Sequence, residues 1–261
     1  MREMVVTMPK RRNWSPEETR AAFALYFTLP SGKWSKSTLE IVRLAQAIGR
    51  SPDAVVFKLG NLRARDPQRP SKGLQNASML DQKIWEDYAQ DPESITRQAV
   101  RELESLTGSV AETPIPEYSE IDLPLGAERE VVTTARVNQT YFREMLIENY
   151  DARCCLTQLR EPCLLVASHI KPWKASTAEE KVAADNGILI NALHDRAFDQ
   201  GLMTLDDSGS RLHFVVSRKV RRGDASEKWL WRFNGTEMLI PRRLAPRHEF
   251  IEYHNDVIFK R

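Results

Sequence analysis

Residues 163–201 read CLLVASHIKPWKASTAEEKVAADNGILINALHDRAFDQG, and the order of apolar and polar runs within them decides the fold. An apolar run ends at Ser168-His169-Ile170, a polar loop comes next, a second short apolar run begins after Asn186, and a helix-like segment closes at Gly201. The predicted order is strand, loop, strand, helix. With Ala192 to Gln200 helical and Gly201 as the stop, Asp195 and Asp199 stand at i and i+4 on one face. Two carboxylates that close repel when bare but suit a shared hard cation such as Mg²⁺, which keeps waters and takes phosphate oxygens as well. An isolated D-x-x-x-D pair is more often a solvated acidic face; this one stands in the same stretch as a strand-end histidine and Asn186.

Ser168-His169-Ile170-Lys171-Pro172-Trp173, Asp185-Asn186-Gly187-Ile188-Leu189-Ile190-Asn191 and Ala192-Leu193-His194-Asp195-Arg196-Ala197-Phe198-Asp199-Gln200-Gly201 together resemble the HNH, or ββα-metal, endonucleases. The likeness extends over about residues 138–206. It implies His169 as the catalytic histidine, Asn186 as the family's asparagine, and Asp195 and Asp199 as metal ligands, so that an aspartate takes the place of the third letter. His194 is a lower-ranked ligand candidate. Ser168 stands where many members carry a His or Asp ligand, which implies fewer protein ligands and more water on the metal.

That resemblance implies phosphodiester hydrolysis, which needs a base for the attacking water and positive charge for the phosphate and the departing 3′ oxygen. His169, neutral near pH 7, suits the base. A divalent cation, Mg²⁺ first and Mn²⁺ or another divalent ion as alternatives, would sit on Asp195 and Asp199. Asn186 is expected to brace the loop and orient the His169 ring through a hydrogen bond. Lys171 and Arg196 are candidate phosphate contacts.

With 261 residues the chain has room for two domains, and its charge is uneven along its length. Residues 1–75 hold fourteen Lys and Arg against six Asp and Glu, whereas residues 108–130 hold six acids and one arginine. No run approaches a membrane span and the start lacks a signal-peptide core, so a cytoplasmic, bacterial-type intracellular protein is expected, with no membrane partner. Cys154, Cys155 and Cys163 form no paired C-x-x-C knuckles, and no structural zinc is expected.

Three helices are predicted over residues 13–66. Ser15-Pro16-Glu17-Glu18 is a capping box with proline in the first turn, Ser37 to Ile48 carries apolar residues at helical intervals up to the Gly49-Arg50 turn, and Ser51-Pro52-Asp53 opens the third helix. On that helix Lys58, Asn61 and Arg65 share a face at i, i+3 and i+7. The unit resembles a Myb-like or helix-turn-helix module. Such a likeness implies a helix in the major groove of double-stranded DNA, with Lys58, Asn61, Arg63 and Arg65, and Arg11 and Arg12 nearby, at bases or phosphates. The bland alternative is a solvated basic face on a small bundle. Helices are also predicted at Met79 to Tyr88 and Ser94 to Leu106.

The expected fold is α+β, with a helical, helix-turn-helix-like DNA-binding domain over 1–107, a Pro-rich acidic linker over 108–130 and an HNH nuclease domain over 131–261. Val131 to Tyr150 reads as a strand-like start followed by an amphipathic helix, and Arg136, Gln139, Phe142 and Arg143 match a helix that precedes the metal motif in this branch. A hairpin is expected around Asp207-Ser208-Gly209, strands over Trp229 to Ile240, and a short final helix with Val257 packed inward. His213, His248 and His254 are expected to be structural or surface residues. The likeness points to restriction-type, site-specific cleavage by a homodimer, since one site cuts one strand. On this reading residues 131–261 alone should nick DNA poorly and without preference. Competing readings are a DNA-binding regulator on an inactive HNH fold, and a nuclease for modified DNA or RNA.

Overall fold

The computed structural model describes residues 12–69, 78–108 and 129–261. Arg11, residues 70–77 and nearly all of the expected linker lie outside the described residues.

Helix α1 (Pro16–Thr28) begins at the capping box read from the sequence: Ser15 accepts from the Glu18 amide while the Glu18 carboxylate accepts from the Ser15 amide. Its residues from Ala21 to Thr28 are all buried, so it is the axis on which α2 (Leu39–Ala47), α3 (Pro52–Arg65), α4 (Met79–Gln90) and α5 (Pro92–Thr107) pack. Gly49, at φ +64°, makes the tight exit from α2 that a side chain would strain. Ser51 then caps α3 by accepting from the Ala54 amide. Arg50 ties the turn down: it bonds the Glu18 carboxylate at 2.8 Å and lies over the Trp14 ring.

Helix α6 (Arg129–Asn149) comes next. The β-branched start that suggested a strand is helical throughout, because β-branched residues are only weak evidence for a strand. Val137 and Tyr141 of α6 are buried against the helices before it, and Phe142, Met145, Leu146 and Tyr150 against the strands and loops after it. Tyr141 joins Phe23, Tyr26, Phe27, Trp85 and Tyr88 in an aromatic cluster. The buried apolar residues before and after α6 thus form one continuous core.

Strands β1 (Leu165–His169) and β2 (Gly187–Asn191) pair antiparallel, with His169 opposite Gly187 and Leu165 opposite Asn191. Helix α7 (Ala192–Asp199) leaves β2 directly, capped by Asn191, whose side chain accepts from the His194 amide. The hairpin β3 (Met203–Asp206) and β4 (His213–Val216) is the one expected around Asp207-Ser208-Gly209. Trp229 to Ile240 is not strand-rich: helix α8 (Asp224–Trp229) and a 3₁₀ turn at Trp231–Phe233 lead to a single bridge between His213 and Glu237. Helix α9 (His248–Tyr253) continues as a π-helical turn to Ile258, and Val257, expected inward, is 60% exposed on that turn. Cys154 and Cys155 are buried and Cys163 is exposed. Among the described residues no helix is long and apolar enough to cross a membrane.

Candidate active site

His169 is the last residue of β1, and its ring is held on three sides. Phe142 of α6 stacks on it with centroids 3.9 Å apart, Trp173 meets it edge-on at 5.6 Å, and Nε2 lies 2.9 Å from the Lys181 carbonyl. A carbonyl oxygen only accepts, so Nε2 carries the proton and Nδ1 is left with its lone pair free. Burial holds the imidazole pKa down to about 4, the carbonyl bond opposing only part of that effect. At neutral pH the side chain is an uncharged base of fixed tautomer.

The glycine opposite it makes this possible. A Cβ on Gly187 would stand 2.5 Å from the Phe142 ring edge, so only glycine lets that ring lie flat against His169. Arg143, next to Phe142, donates to the carbonyls of Leu165 and Pro162 at 2.7 and 2.9 Å and anchors β1 to α6. The sequence assigned this helix a structural role; that Phe142 is a wall of the histidine pocket was visible only as an aromatic in the right motif.

Asn186 is fully buried. Its Oδ1 accepts from the Lys171 amide at 2.9 Å, and its Nδ2 donates to the Glu180 carbonyl at 3.1 Å and to the Lys171 carbonyl and Ser176 hydroxyl at 3.3 Å. It braces the loop as expected. It does not bond the His169 ring, which is a correction: the ring is oriented by Lys181, the residue after the one that Asn186 holds.

Asp195 and Asp199 lie on α7 one turn apart, both part-exposed. His194, between β2 and the acids, is buried with Nδ1 2.9 Å from Asn191 Oδ1 and Nε2 2.8 Å from the Trp229 carbonyl. Both ring nitrogens face oxygens within the fold, so His194 anchors α7 to α8 and turns neither nitrogen toward a cation. Ser168 is buried, and its hydroxyl has no hydrogen-bond partner.

The other cationic candidates are largely engaged within the fold. Lys58, expected on a DNA-facing surface, is buried in an ion pair with Asp81 of α4, which burial makes obligatory. Arg63 pairs with Glu148 of α6 at 2.9 Å. Arg12 pairs with Glu18 and donates to the Ile48 carbonyl at 2.8 Å. Lys171 pairs with Glu180 at 2.6 Å. Arg65 and Arg196 are exposed and Asn61 is part-exposed.

A strand ending in a neutral histidine, paired to a second strand that runs straight into a short acid-bearing helix, defines a ββα module. Residues 154–206 match the family model described as HNH endonuclease, so the chain carries an HNH endonuclease domain over that segment. No curated protein matches the chain.

Proposed function

We propose that the protein is a divalent-metal-dependent DNA endonuclease in which Nδ1 of His169 takes the proton of the attacking water. The observation that carries the reading is the His169 tautomer: with Nε2–H held by the Lys181 carbonyl, Nδ1 is the acceptor, and it stays unprotonated at neutral pH. As Nδ1 gains the proton, the Lys181 carbonyl stabilises the imidazolium through the bond that already holds the ring. Phe142 and Trp173 keep the ring from rotating.

We assign the cation to Asp195 and Asp199, because carboxylate oxygens suit a hard ion. Asp195 and Asp199 offer two carboxylates one helical turn apart, and the buried, unbonded Ser168 hydroxyl is a further oxygen donor at the end of β1. A divalent cation held there supplies charge neutralisation for the phosphate and the departing 3′ oxygen. Mg²⁺ matches an all-oxygen set completed by water, and Mn²⁺ would substitute.

The substrate is read as double-stranded DNA, with Asn61 and Arg65 of α3 left to face it and Arg196 on α7 for phosphate. Site-specific, restriction-type cutting by a homodimer follows from the sequence likeness and from the need for two sites to cut both strands. One observation favours a second reading, a DNA-binding regulator on an inactive HNH fold: among the described residues no three His, Cys, Asp or Glu side chains gather around a common cation position.

The experiment is cleavage of supercoiled plasmid, from methylating and non-methylating hosts, by wild type and His169→Ala across several divalent ions. Metal-dependent cutting lost in His169→Ala supports the nuclease; discrete bands rather than a smear support site specificity, and host dependence would identify modified DNA. A wild type that shifts DNA in a gel but cuts nothing with any ion overturns the reading in favour of the regulator.

A further inference from the structure

We propose that Gln68, on the turn after α3, is a positioning residue for His169, acting through the backbone of the 170–186 loop. Its catalytic consequence rests on the nuclease reading above; its geometry does not.

The Gln68 side chain spends both polar ends on that loop. Nε2 donates to the Val182 carbonyl at 3.0 Å, and Oε1 accepts from the Ala184 amide at 2.7 Å. One amide thus spans Ala183 from both sides, immediately after Lys181, whose carbonyl holds the His169 Nε2 proton. Lys181 is held from the helical region a second time, by an ion pair with Glu93 in the first turn of α5 at 2.9 Å. Its ammonium also lies 5.2 Å from the centre of the Trp173 ring, the edge-on neighbour of His169.

The turn that carries Gln68 is itself rigid. The Gln68 amide donates to Asp66 Oδ1 at 2.9 Å, and that buried carboxylate also accepts from the hydroxyls of Tyr26 and Tyr141. Arg69, also buried, pairs with Glu148 of α6. Within the loop, the backbone bonds around Lys181 are single turns: Lys181 to Thr177, Val182 to Glu179 and Asn186 to Ala183. These fix local shape; the loop is tied to its surroundings by Asn186, by Gln68, by the Glu93–Lys181 pair and by Arg247, which bonds Asp185, and of these Gln68 holds the backbone nearest the Lys181 carbonyl from outside the loop. Loss of the Gln68 bonds lets the carbonyl drift from Nε2, and a sub-ångström to one-ångström error at a catalytic base costs about tenfold to a hundredfold in rate.

The test uses the full chain with Gln68→Met, which keeps the bulk without the amide, and Gln68→Glu, which keeps the acceptor for Ala184 but opposes a carboxylate to the Val182 carbonyl. The first readout needs no cleavage: nitrogen chemical shifts of the His169 imidazole in the metal-free protein at neutral pH. Wild type is expected as the single Nε2–H tautomer, and Gln68→Met as a mixture. In plasmid cleavage the same variant should lose about tenfold to a hundredfold in kcat with KM within about twofold. Glu93→Ala, a part-exposed change that folding tolerates, should give the same pattern at about threefold, the scale of one partly exposed ion pair.

An unchanged tautomer and unchanged kcat in both Gln68→Met and Glu93→Ala would overturn the proposal. A shifted tautomer in a protein whose wild type cuts no DNA would leave the positioning role standing and remove only the nuclease reading. Should Gln68→Met fail to fold, Gln68→Glu and Glu93→Ala decide the matter through the same nitrogen shifts.

Discussion

His169 and Lys181 are twelve residues apart in the chain, and the Nε2 of the first lies 2.9 Å from the carbonyl oxygen of the second. The tautomer of His169 is therefore set by a backbone atom in the middle of a loop, and whatever shapes that loop bears on which ring nitrogen carries the proton.

Asn186 closes the base of the loop with a donor end that faces three oxygens. Asn186→Asp keeps the acceptor for the Lys171 amide but sets a buried carboxylate against those oxygens. It should cost about 3 kcal/mol or more at neutral pH. The folded state then favours the protonated acid, so the deficit is fully present above the folded pKa and shrinks as pH falls towards the ordinary aspartate range. Urea unfolding of variant and wild type at pH 7.5 and 4.5, compared at each pH, measures this; a deficit independent of pH would be inconsistent with it.

Lys58 separates a structural from a DNA-binding role. Lys58→Ala strands the buried Asp81 carboxylate, which already receives the Ser78 amide and hydroxyl in the α4 cap. The loss should be about 3–5 kcal/mol by urea denaturation. DNA affinity of the variant, measured well below its melting temperature, should match wild type within about twofold, because a side chain this buried makes no phosphate contact.

Gly201 ends the helix that carries Asp195 and Asp199. It sits at φ +65°, and a Cβ there would stand 2.0 Å from the Ile258 carbonyl oxygen. Gly49 has nearly the same φ, +64°, with nothing within 4 Å of a Cβ. Gly49→Ala should cost about 1 kcal/mol, the strain of the left-handed backbone alone. Gly201→Ala should cost about 3 kcal/mol or more, because the C-terminal segment that bonds Gly201 through the Lys260 amide must move too. Thermal melts of the two variants side by side test the difference.

His254 gives the fold an acid limb. It is buried against Phe198, with Nδ1 2.8 Å from the Thr204 hydroxyl and Nε2 3.2 Å from the Phe198 carbonyl, and burial holds its pKa down to about 4. The unfolded chain binds the proton near pH 6.5, so between about pH 6.5 and 4 the unfolded state holds more protons and stability falls as pH falls. The effect of this one group is about 3 kcal/mol across that window, and His169 acts in the same direction. His254→Gln should have a flatter dependence of unfolding free energy on pH over the same range, whatever its stability at pH 7.

The helix starts at Ser15 and Ser51, the stops at Gly49 and Gly201, and the strands on either side of the polar loop were legible because each rests on local chemistry: a cap, a left-handed glycine or a run of apolar residues. The errors fell where local preference met a neighbour. The β-branched start of α6 became helix, and the aromatic-rich segment around Trp229 became helical, with its Trp229 carbonyl facing His194. The i, i+3, i+7 face of α3 gave the azimuth of Lys58 correctly, but nothing in α3 says that α4 brings Asp81 to that side.

By itself, then, the sequence determined where the elements of the ββα segment begin and end and which of its residues are candidates for chemistry, since both depend on residues a few positions apart. Only the tertiary structure decided which nitrogen of His169 faces the Lys181 carbonyl, that Lys58 is buried against Asp81, and that Phe142 stacks on the histidine ring. Those outcomes depend on single hydrogen bonds and ring contacts between segments distant in the chain, and no periodicity in the sequence records which segments will meet.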